Sequence, residues 1–540
     1  MLKATLRVTL LVTSHLIASE AASILGFAIV GGTSHQASLA RIGLELIQRG
    51  HKFTLLLSSE DELSHSRLAY DPFSLLNVLN FSGPAGVGTM EWRARLPRDP
   101  AKVLAFLRQD ALDIAQSLME DSNAIAAMRA EAFDLLIRDM GSWATHLPAE
   151  MLNIPEIDMI GISSLLPICE TSWSIPNPVS YVPQFTSTLL PSPGFMFRFH
   201  NYVQYLLMHF IVMGGSLIPE RELTARYGYT ADGSWTTRST AAAYIGIGDW
   251  ALEHPFPVPP KVHMVCALNA APGRPLPPDL QQFLDQNVPS QRMTGSSEVA
   301  GAVYVSVGTA VLLEEAEVLG LAANLASLER PVLWKISDAE LPGNMTLASL
   351  HLPSNIRTIG WAPQNDILAH SSTRVFVTHA GANSLHEAAY HGTPVVAVPF
   401  LGDQPHNAAK SAYHGFGVVV PIEKVIKQDR LHLRNAIATV IEDPSYQANA
   451  TKVQRRMRRP RTAAQQAADI VEHVINVEGE NYLETAQHLY SWWQLTMIDV
   501  YLALFVIVAT IIGLLGGLVW LLVRLCWRNF RPVGSKHKTN

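Results

Sequence analysis

The segment Val375-Phe-Val-Thr-His379-Ala-Gly381-Ala-Asn383-Ser384-Leu-His-Glu387 carries much of the chemistry in this 540-residue chain. It passes from a β-rich run through a turn of small residues into a helical pattern. A helix that begins in such a turn presents free backbone amides and the positive end of its dipole to an anion. His379, Asn383 and Ser384 add side-chain donors suited to a diphosphate, and Glu387, further along the helix, offers a carboxylate to ribose hydroxyls. Trp361-Ala-Pro363-Gln364 lies upstream, and Gly392-Thr-Pro394 and Pro399-Phe-Leu-Gly-Asp403-Gln404 lie downstream. An indole stacks on a nucleobase and a carboxylate–amide pair binds sugar hydroxyls, so contacts to base, phosphate and sugar follow in chain order. The glycine turn alone says little, because doubly wound folds use many such turns for close packing.

The elements that must position these residues alternate between apolar runs and helical patterns in both halves of the chain, which predicts two doubly wound α/β domains. In the first half, Ile24 to Val30 reads as a strand, Gly31 to His35 as a turn, Gln36 to Arg49 as a helix closed by Gly50, and Phe53 to Leu57 as the next strand. The second half repeats the logic with Ala302 to Val307 before Gly308, and with Val375 to Thr378 before its own turn and helix. Residues 286–301, rich in Ser, Gln, Pro and Gly, read as the linker between domains at 24–285 and 302–480.

Both ends of the chain point to a membrane. Residues 1–23 carry Lys3 and Arg7, an apolar run from Val8 to Ile17 and then small residues, the order of a secretory signal. After a juxtamembrane stretch at 481–499, residues 500–523 contain no Asp, Glu, Lys, Arg or His, and they are enough for a helix to cross the roughly 30 Å hydrocarbon core. The tail at 524–540 holds Arg524, Arg528, Arg531, Lys536 and Lys538 with no acid, which places it in the cytosol and the body in the lumen. The terminal Lys536-His-Lys538-Thr-Asn540 resembles the dilysine retrieval signal of the endoplasmic reticulum. Sequons at Asn80, Asn344 and Asn449 agree with a lumenal body.

Composition narrows the function classes. With 40 basic and 46 acidic side chains the net charge is −6, which gives no global support to nucleic-acid binding. Three cysteines, Cys169, Cys266 and Cys526, have no metal-ligand spacing, and the first two are either bridged or buried free thiols. Gly31-Gly32-Thr33-Ser34-His35 is not GxGxxG, which argues against a nicotinamide oxidoreductase. The basic run Lys452, Arg455, Arg456, Arg458, Arg459 and Arg461 reads as a solvated helix face, with a lipid or partner contact as the alternative.

Trp361 to Gln404, read as WAPQNDILAHSSTRVFVTHAGANSLHEAAYHGTPVVAVPFLGDQ, resembles the donor-binding signature of the UDP-glycosyltransferase family. Ser34-His35 with Leu46 to His51, Pro176 to Pro183 and Leu483 to Asp499 extend the likeness over most of the chain, and the anchor resembles that of the glucuronosyltransferase branch. The resemblance implies a GT-B fold, with two Rossmann-like domains facing a cleft plus one C-terminal transmembrane helix. It also implies inverting transfer of a glucuronosyl or glucosyl group from a UDP-sugar to a small lipophilic acceptor. His35 falls at the family's base position, and Asp139 matches the carboxylate that pairs with it, with Asp134 and Asp158 as competitors. UDP-sugar contacts would come from Gly308, Thr309, Trp361, Gln364, His379, Gly381, Asn383, Ser384, Glu387, Asp403 and Gln404. The UDP-sugar is a co-substrate, and neither cofactor nor metal is expected, because amides and side chains serve the departing diphosphate. Where the family often has two glycines after its signature histidine, this chain has Ala380-Gly381, and a methyl there is expected to be tolerated. Acceptor recognition is expected among Leu75 to Trp92 and Phe195 to Met213, whose apolar residues read equally well as core. A sugar-nucleotide epimerase or hydrolase on the same fold, and a non-catalytic UDP-sugar-binding regulator, remain the alternatives; a homo-oligomer is left open.

Overall fold

The computed structural model describes residues 21–28, 32–61, 65, 73–87, 89, 97, 99–161, 166–184, 187–213, 218–230, 239–285, 301–308, 312–427 and 431–529. Most of the expected signal (1–20), of the linker (286–300) and of the tail (530–540), together with Thr309 and Trp92, lies outside the described residues. Thirteen strands, β1 to β13, occupy Ser23–Phe27, Lys52–Ser58, Asn77–Phe81, Leu135–Asp139, Glu156–Ile160, Ala243–Ile247, Val262–Val265, Ala302–Ser306, Val332–Lys335, Ile356–Ile359, Thr373–Thr378, Val395–Ala397 and Gly417–Val419. The helices discussed below are numbered α1 (Thr33–Gln48), α2 (Phe195–Met213), α3 (Gln364–Ala369), α4 (Ala382–His391), α5 (Gln404–Tyr413), α6 (Pro444–Met457), α7 (Ala463–Asn476) and α8 (Ile498–Asn529).

The strands form two sheets, ordered β3-β2-β1-β4-β5-β6-β7 and β10-β9-β8-β11-β12-β13, and every pairing is parallel. Parallel strands covered on both faces tend to be near-continuous apolar runs. Accordingly β8, Ala-Val-Tyr-Val-Ser, is buried at every position, with Val303 and Val305 in one apolar cluster and Tyr304 in another, stacked 4.9 Å from Phe376. In each sheet the strand order reverses beside the first strand, between β1 and β4 and between β8 and β11. Ligands of such sheets bind at the carboxyl ends of the strands at that reversal.

The expected strands hold to within a few residues, but the first helix starts earlier than expected. Gly32 is its N-cap, its carbonyl taking the amides of His35 (2.9 Å) and Gln36 (3.1 Å), so His35 sits in the first turn of α1 and not in the preceding turn. The stretch 302–480 also does not stay on the second sheet. Helix α7 returns to pack on α1, β6 and β7. Arg49, closing α1, donates to Asp469 (2.9 Å), Glu472 (2.8 Å) and the Gln465 carbonyl (3.0 Å) of α7.

Several open readings resolve. Cys169 and Cys266 are free and buried, which removes the bridge, and burial pushes both thiols up. The basic run is only partly solvated: Arg459 reaches the fully buried Asp249 of the first half (3.3 Å), and Arg458 lies over the Tyr390 ring. Helix α2 buries Phe197, Asn201 and Met208 but turns Phe195, Met196, Phe199, Leu207 and Phe210 outward, so these five are not core. Asn80 and Asn344 are exposed, whereas Asn449, within α6, donates its side-chain amide to the Gly415 carbonyl beyond the end of α5.

Residues 484–529 form a second unit, separate from the body. Its helix α8 spans 32 residues, about 48 Å, and is long and apolar enough to cross a membrane. It runs past the apolar stretch 500–523 because Arg524 and Arg528 favour the negative end of a helix dipole.

Candidate active site

In the first sheet the reversal brings together the residues that follow β1 and end β4. His35 Nδ1 lies 2.5 Å from Asp139 Oδ2. The imidazole keeps 47% of its surface accessible, whereas the Asp139 side chain keeps 1%. Asp139 is held in turn: its Oδ1 accepts the Gly141 amide (2.8 Å) and its carbonyl accepts the Thr145 hydroxyl (2.7 Å). With Nδ1 engaged, Nε2 is the nitrogen left for a substrate. The Asp139 carboxylate raises the His35 pKa above 6.5, outweighing burial, and Asp403 adds to the rise. The two competing carboxylates lie elsewhere. Asp134 accepts the Ser23 amide (2.8 Å) at the amino end of the strands, and Asp158 is buried against Arg138 (2.5 Å) and the Trp173 indole (3.0 Å).

In the second sheet the corresponding reversal gathers Gly308, after β8, and His379, after β11. A methyl on Gly308 would stand 2.5 Å from the His379 ring, and one on Gly381 would press on its Nε2. Gly308 also has φ +79°, a left-handed conformation that disfavours any side chain. Both glycines therefore exist to let this imidazole sit at the strand ends. Burial holds the His379 pKa down to about 4, against an opposing effect of the Ser306 carbonyl, so the ring is neutral at physiological pH. Its Nδ1 makes no hydrogen bond of normal geometry among the described residues.

Ala380 adopts φ +62° and is fully buried. The left-handed conformation costs roughly 1 kcal/mol, and its methyl, packed with Ala397 and Ala408, recovers about 0.8 kcal/mol. The methyl is accommodated, as expected, although the backbone there is suited to glycine.

Helix α4 then starts at Ala382, its amino end directed by the His379-Ala380-Gly381 turn. Gln364, the first residue of α3, donates to Glu387 Oε2 (2.5 Å) and the Ser384 hydroxyl (3.2 Å), and its Oε1 accepts from the Tyr304 hydroxyl (3.3 Å). These residues, distant in sequence, form one polar cluster. Trp361 stands just beyond β10 with 59% of its surface exposed. Asn383 reaches across to the first half, its amide donating to the Ser34 carbonyl (3.4 Å).

Asp403 and Gln404 open α5. The Asp403 carboxyl accepts from Asn407 (2.6 Å); burial pushes its pKa up, partly offset by Asn407, Lys410 and His35. The Gln404 carbonyl oxygen takes the amides of Phe400 (2.8 Å) and Leu401 (3.1 Å), which leaves its NH2 as the group for a ligand. Sequence reasoning missed Tyr304 and Asn407. Tyr304 reads as a core residue of a buried strand, whereas Asn407, one helical turn after Asp403, was detectable from i, i+4 spacing.

Comparisons with known proteins agree in pointing one way. The family model described as "UDP-glucoronosyl and UDP-glucosyl transferase" matches residues 24–531. Rabbit (Oryctolagus cuniculus) UDP-glucuronosyltransferase 2C1 is 30% identical over 94% of this chain and 98% of its own length. Human UDP-glucuronosyltransferase 2B7 is 29% identical over 89% of each. Among solved structures, Os79 from O. sativa, in complex with a trichothecene, is similar with TM-score 0.57 at 17% identity, covering 84% of this chain and all of that one. A UDP-glucosyltransferase from Polygonum tinctorium gives 0.55 at 18% identity, covering 84% and 99%. These structural likenesses establish the GT-B fold.

Proposed function

Because the chain belongs to the UDP-glucuronosyl and UDP-glucosyl transferase family, we propose that it transfers a hexosyl group, glucuronosyl or glucosyl, from a UDP-sugar to a small lipophilic acceptor with inversion. The observation that carries this reading is the His35–Asp139 contact at the carboxyl ends of β1 and β4. His35 Nε2 takes the proton of the acceptor hydroxyl as its oxygen bonds to the anomeric carbon. The bond from that carbon to the UDP oxygen breaks, and its electron pair leaves with the diphosphate. Asp139 fixes the tautomer and stabilises the imidazolium, as the acid does in a hydrolytic triad. The amino end of α4 and neutral His379 face the charge that develops on the diphosphate, and no metal is assigned in this scheme. Gln364, Ser384 and Glu387 are assigned to the ribose and diphosphate, Trp361 to the uracil, and Asp403 and Gln404 to the sugar.

The test is UDP release by membranes carrying the full chain, across a panel of UDP-sugars, with and without a phenolic acceptor. Acceptor-dependent release with one donor is the expected result, and it names the sugar. Release without acceptor indicates a hydrolase, and UDP-sugar binding with no turnover across a broad acceptor panel indicates a regulator.

We further place the body in the lumen of the endoplasmic reticulum, as a single-pass type I protein anchored by α8. Exposed sequons at Asn80 and Asn344 support that orientation. The expected glycan pattern is two sites: Asn80→Gln and Asn344→Gln each remove one endoglycosidase-sensitive mass step. Asn449→Gln removes none, because the Asn449 side chain is engaged within a helix.

A further inference from the structure

The loop between β6 and β7 belongs to the first half, yet it docks on α5 of the second. Glu253 of that loop meets Lys410 of α5 at 2.7 Å, each side chain only 3% exposed. Around the pair, His414 donates to the Leu252 carbonyl (2.9 Å), and the His254 and Tyr413 rings meet edge to face at 4.6 Å. Asp249, which meets Arg459, shapes the loop by accepting the Ala251 amide at 2.7 Å. A buried ion pair is costly to desolvate, so its retention calls for a geometric purpose.

That purpose is visible along one face of α5. Residues 403, 407 and 410 are spaced i, i+4 and i+7 and therefore line one stripe. Lys410 Nζ donates to Asn407 Oδ1 (3.4 Å), and Asn407 Nδ2 donates to Asp403 Oδ2 (2.6 Å). The polar chain thus runs from Glu253 through Lys410 and Asn407 to the Asp403 carboxylate.

We propose that Glu253 and Lys410 are positioning residues. Through Asn407 they fix the Asp403 carboxylate, so that the first half of the molecule sets the geometry with which the second half grips the donor sugar. This rests on the reading of Asp403 as a sugar contact. Neither residue touches the uridine diphosphate cluster of Gln364, Ser384 and Glu387, so their loss should separate sugar recognition from nucleotide recognition.

The experiment compares the affinity for UDP with the KM for the UDP-sugar in the full-length protein, after a thermal melt confirms folding. Removing one charge alone leaves its partner buried and unpaired, so the informative variant is the neutral double replacement Glu253→Gln/Lys410→Met. The expected result is a KM for UDP-sugar raised about tenfold, the size of one lost charge-assisted hydrogen bond, with UDP affinity within about twofold of wild type. The swap Glu253→Lys/Lys410→Glu restores opposite charges across the halves but cannot donate to Asn407 Oδ1, and it should keep the raised KM. Asp403→Asn is the control for the underlying reading. If it leaves the ratio of UDP-sugar to UDP affinity unchanged, the sugar assignment of Asp403 falls. If Asp403→Asn moves the ratio and the double variant does not, the positioning role alone is overturned. Parallel loss of UDP and UDP-sugar affinity, or full recovery in the swap, would reduce the pair to a structural clasp and overturn it equally.

Discussion

His35→Ala is expected to lower kcat about a thousandfold while UDP binds as in wild type, a loss equivalent to about 4 kcal/mol of transition-state stabilisation. The split follows from geometry: His35 contacts Asp139 of the first half, whereas the polar cluster of Gln364, Ser384 and Glu387, proposed to hold the nucleotide, is built in the second. Stopped-flow or radiometric turnover, beside a UDP titration, measures both. Equal turnover in the variant would remove His35 as the base. The pH profile gives an independent check. The Asp139 charge raises the His35 pKa, and only the unprotonated ring accepts a proton, so kcat/KM climbs with pH through a value above 6.5. Stability runs the opposite way. A group whose pKa is raised on folding contributes stability that is full below the unfolded value and is lost as pH rises through the folded one. In Asp139→Asn the acid limb should therefore move to lower pH as turnover falls, because the amide neither charges the site nor fixes the tautomer.

The same pair shows where sequence reasoning reaches and where it stops. Strands β8 and β11 were legible because a parallel strand covered on both faces tends to be a near-continuous apolar run, and their glycine turns were legible as breaks in that run. The residues proposed for the donor could be read as one signature because all but Gly308 and Thr309 lie in one stretch of 44 residues, Trp361 to Gln404. What a local pattern cannot carry is a contact between distant segments. His35 and Asp139 are 104 residues apart, and nothing in the spacing separates Asp139 from Asp134 or Asp158. Strand register does: Asp139 ends β4 at the ligand side, Asp134 precedes it at the opposite side, and Asp158 pairs across from Arg138. Helix α7 eluded assignment for a related reason. Its amphipathic pattern predicts that one face is buried but not which sheet buries it, and only Arg49 with Asp469 and Glu472 shows that it belongs to the first. The φ of +62° at Ala380 has no signature in composition, since alanine elsewhere reads as an ordinary helix or core residue.

Next to Asp139 on β4, Arg138 anchors a buried charge network, which leads to the largest stability effect expected of any single change. Arg138, the residue before it, is fully buried in the middle of the first sheet. It faces its register partner Asp158 at 2.5 Å and Glu156 at 3.3 Å. His146 binds Glu156 at 2.9 Å, Trp173 binds Asp158, and Lys261 lies over the Tyr244 ring. Replacing Arg138 by Met leaves two buried carboxylates with too little positive charge, and the expected loss is about 3–5 kcal/mol, read as a lower midpoint in thermal or urea unfolding. The pH dependence distinguishes this from lost packing. Burial alone pushes the Glu156 carboxyl up, but Arg138, His146 and Lys261 bring it below its ordinary 4.5. A depressed carboxyl contributes stability above its unfolded value and loses it as pH falls. Wild type keeps this contribution until the pH falls below about 4.5, whereas in Arg138→Met the buried Glu156 has lost its strongest counter-charge and is relieved by protonation at higher pH. The stability gap between the two should narrow from pH 7 toward pH 5, where a packing defect would leave it constant. Narrowing establishes that the charge, and not the bulk, of Arg138 holds β4 and the carboxylate at its end in place.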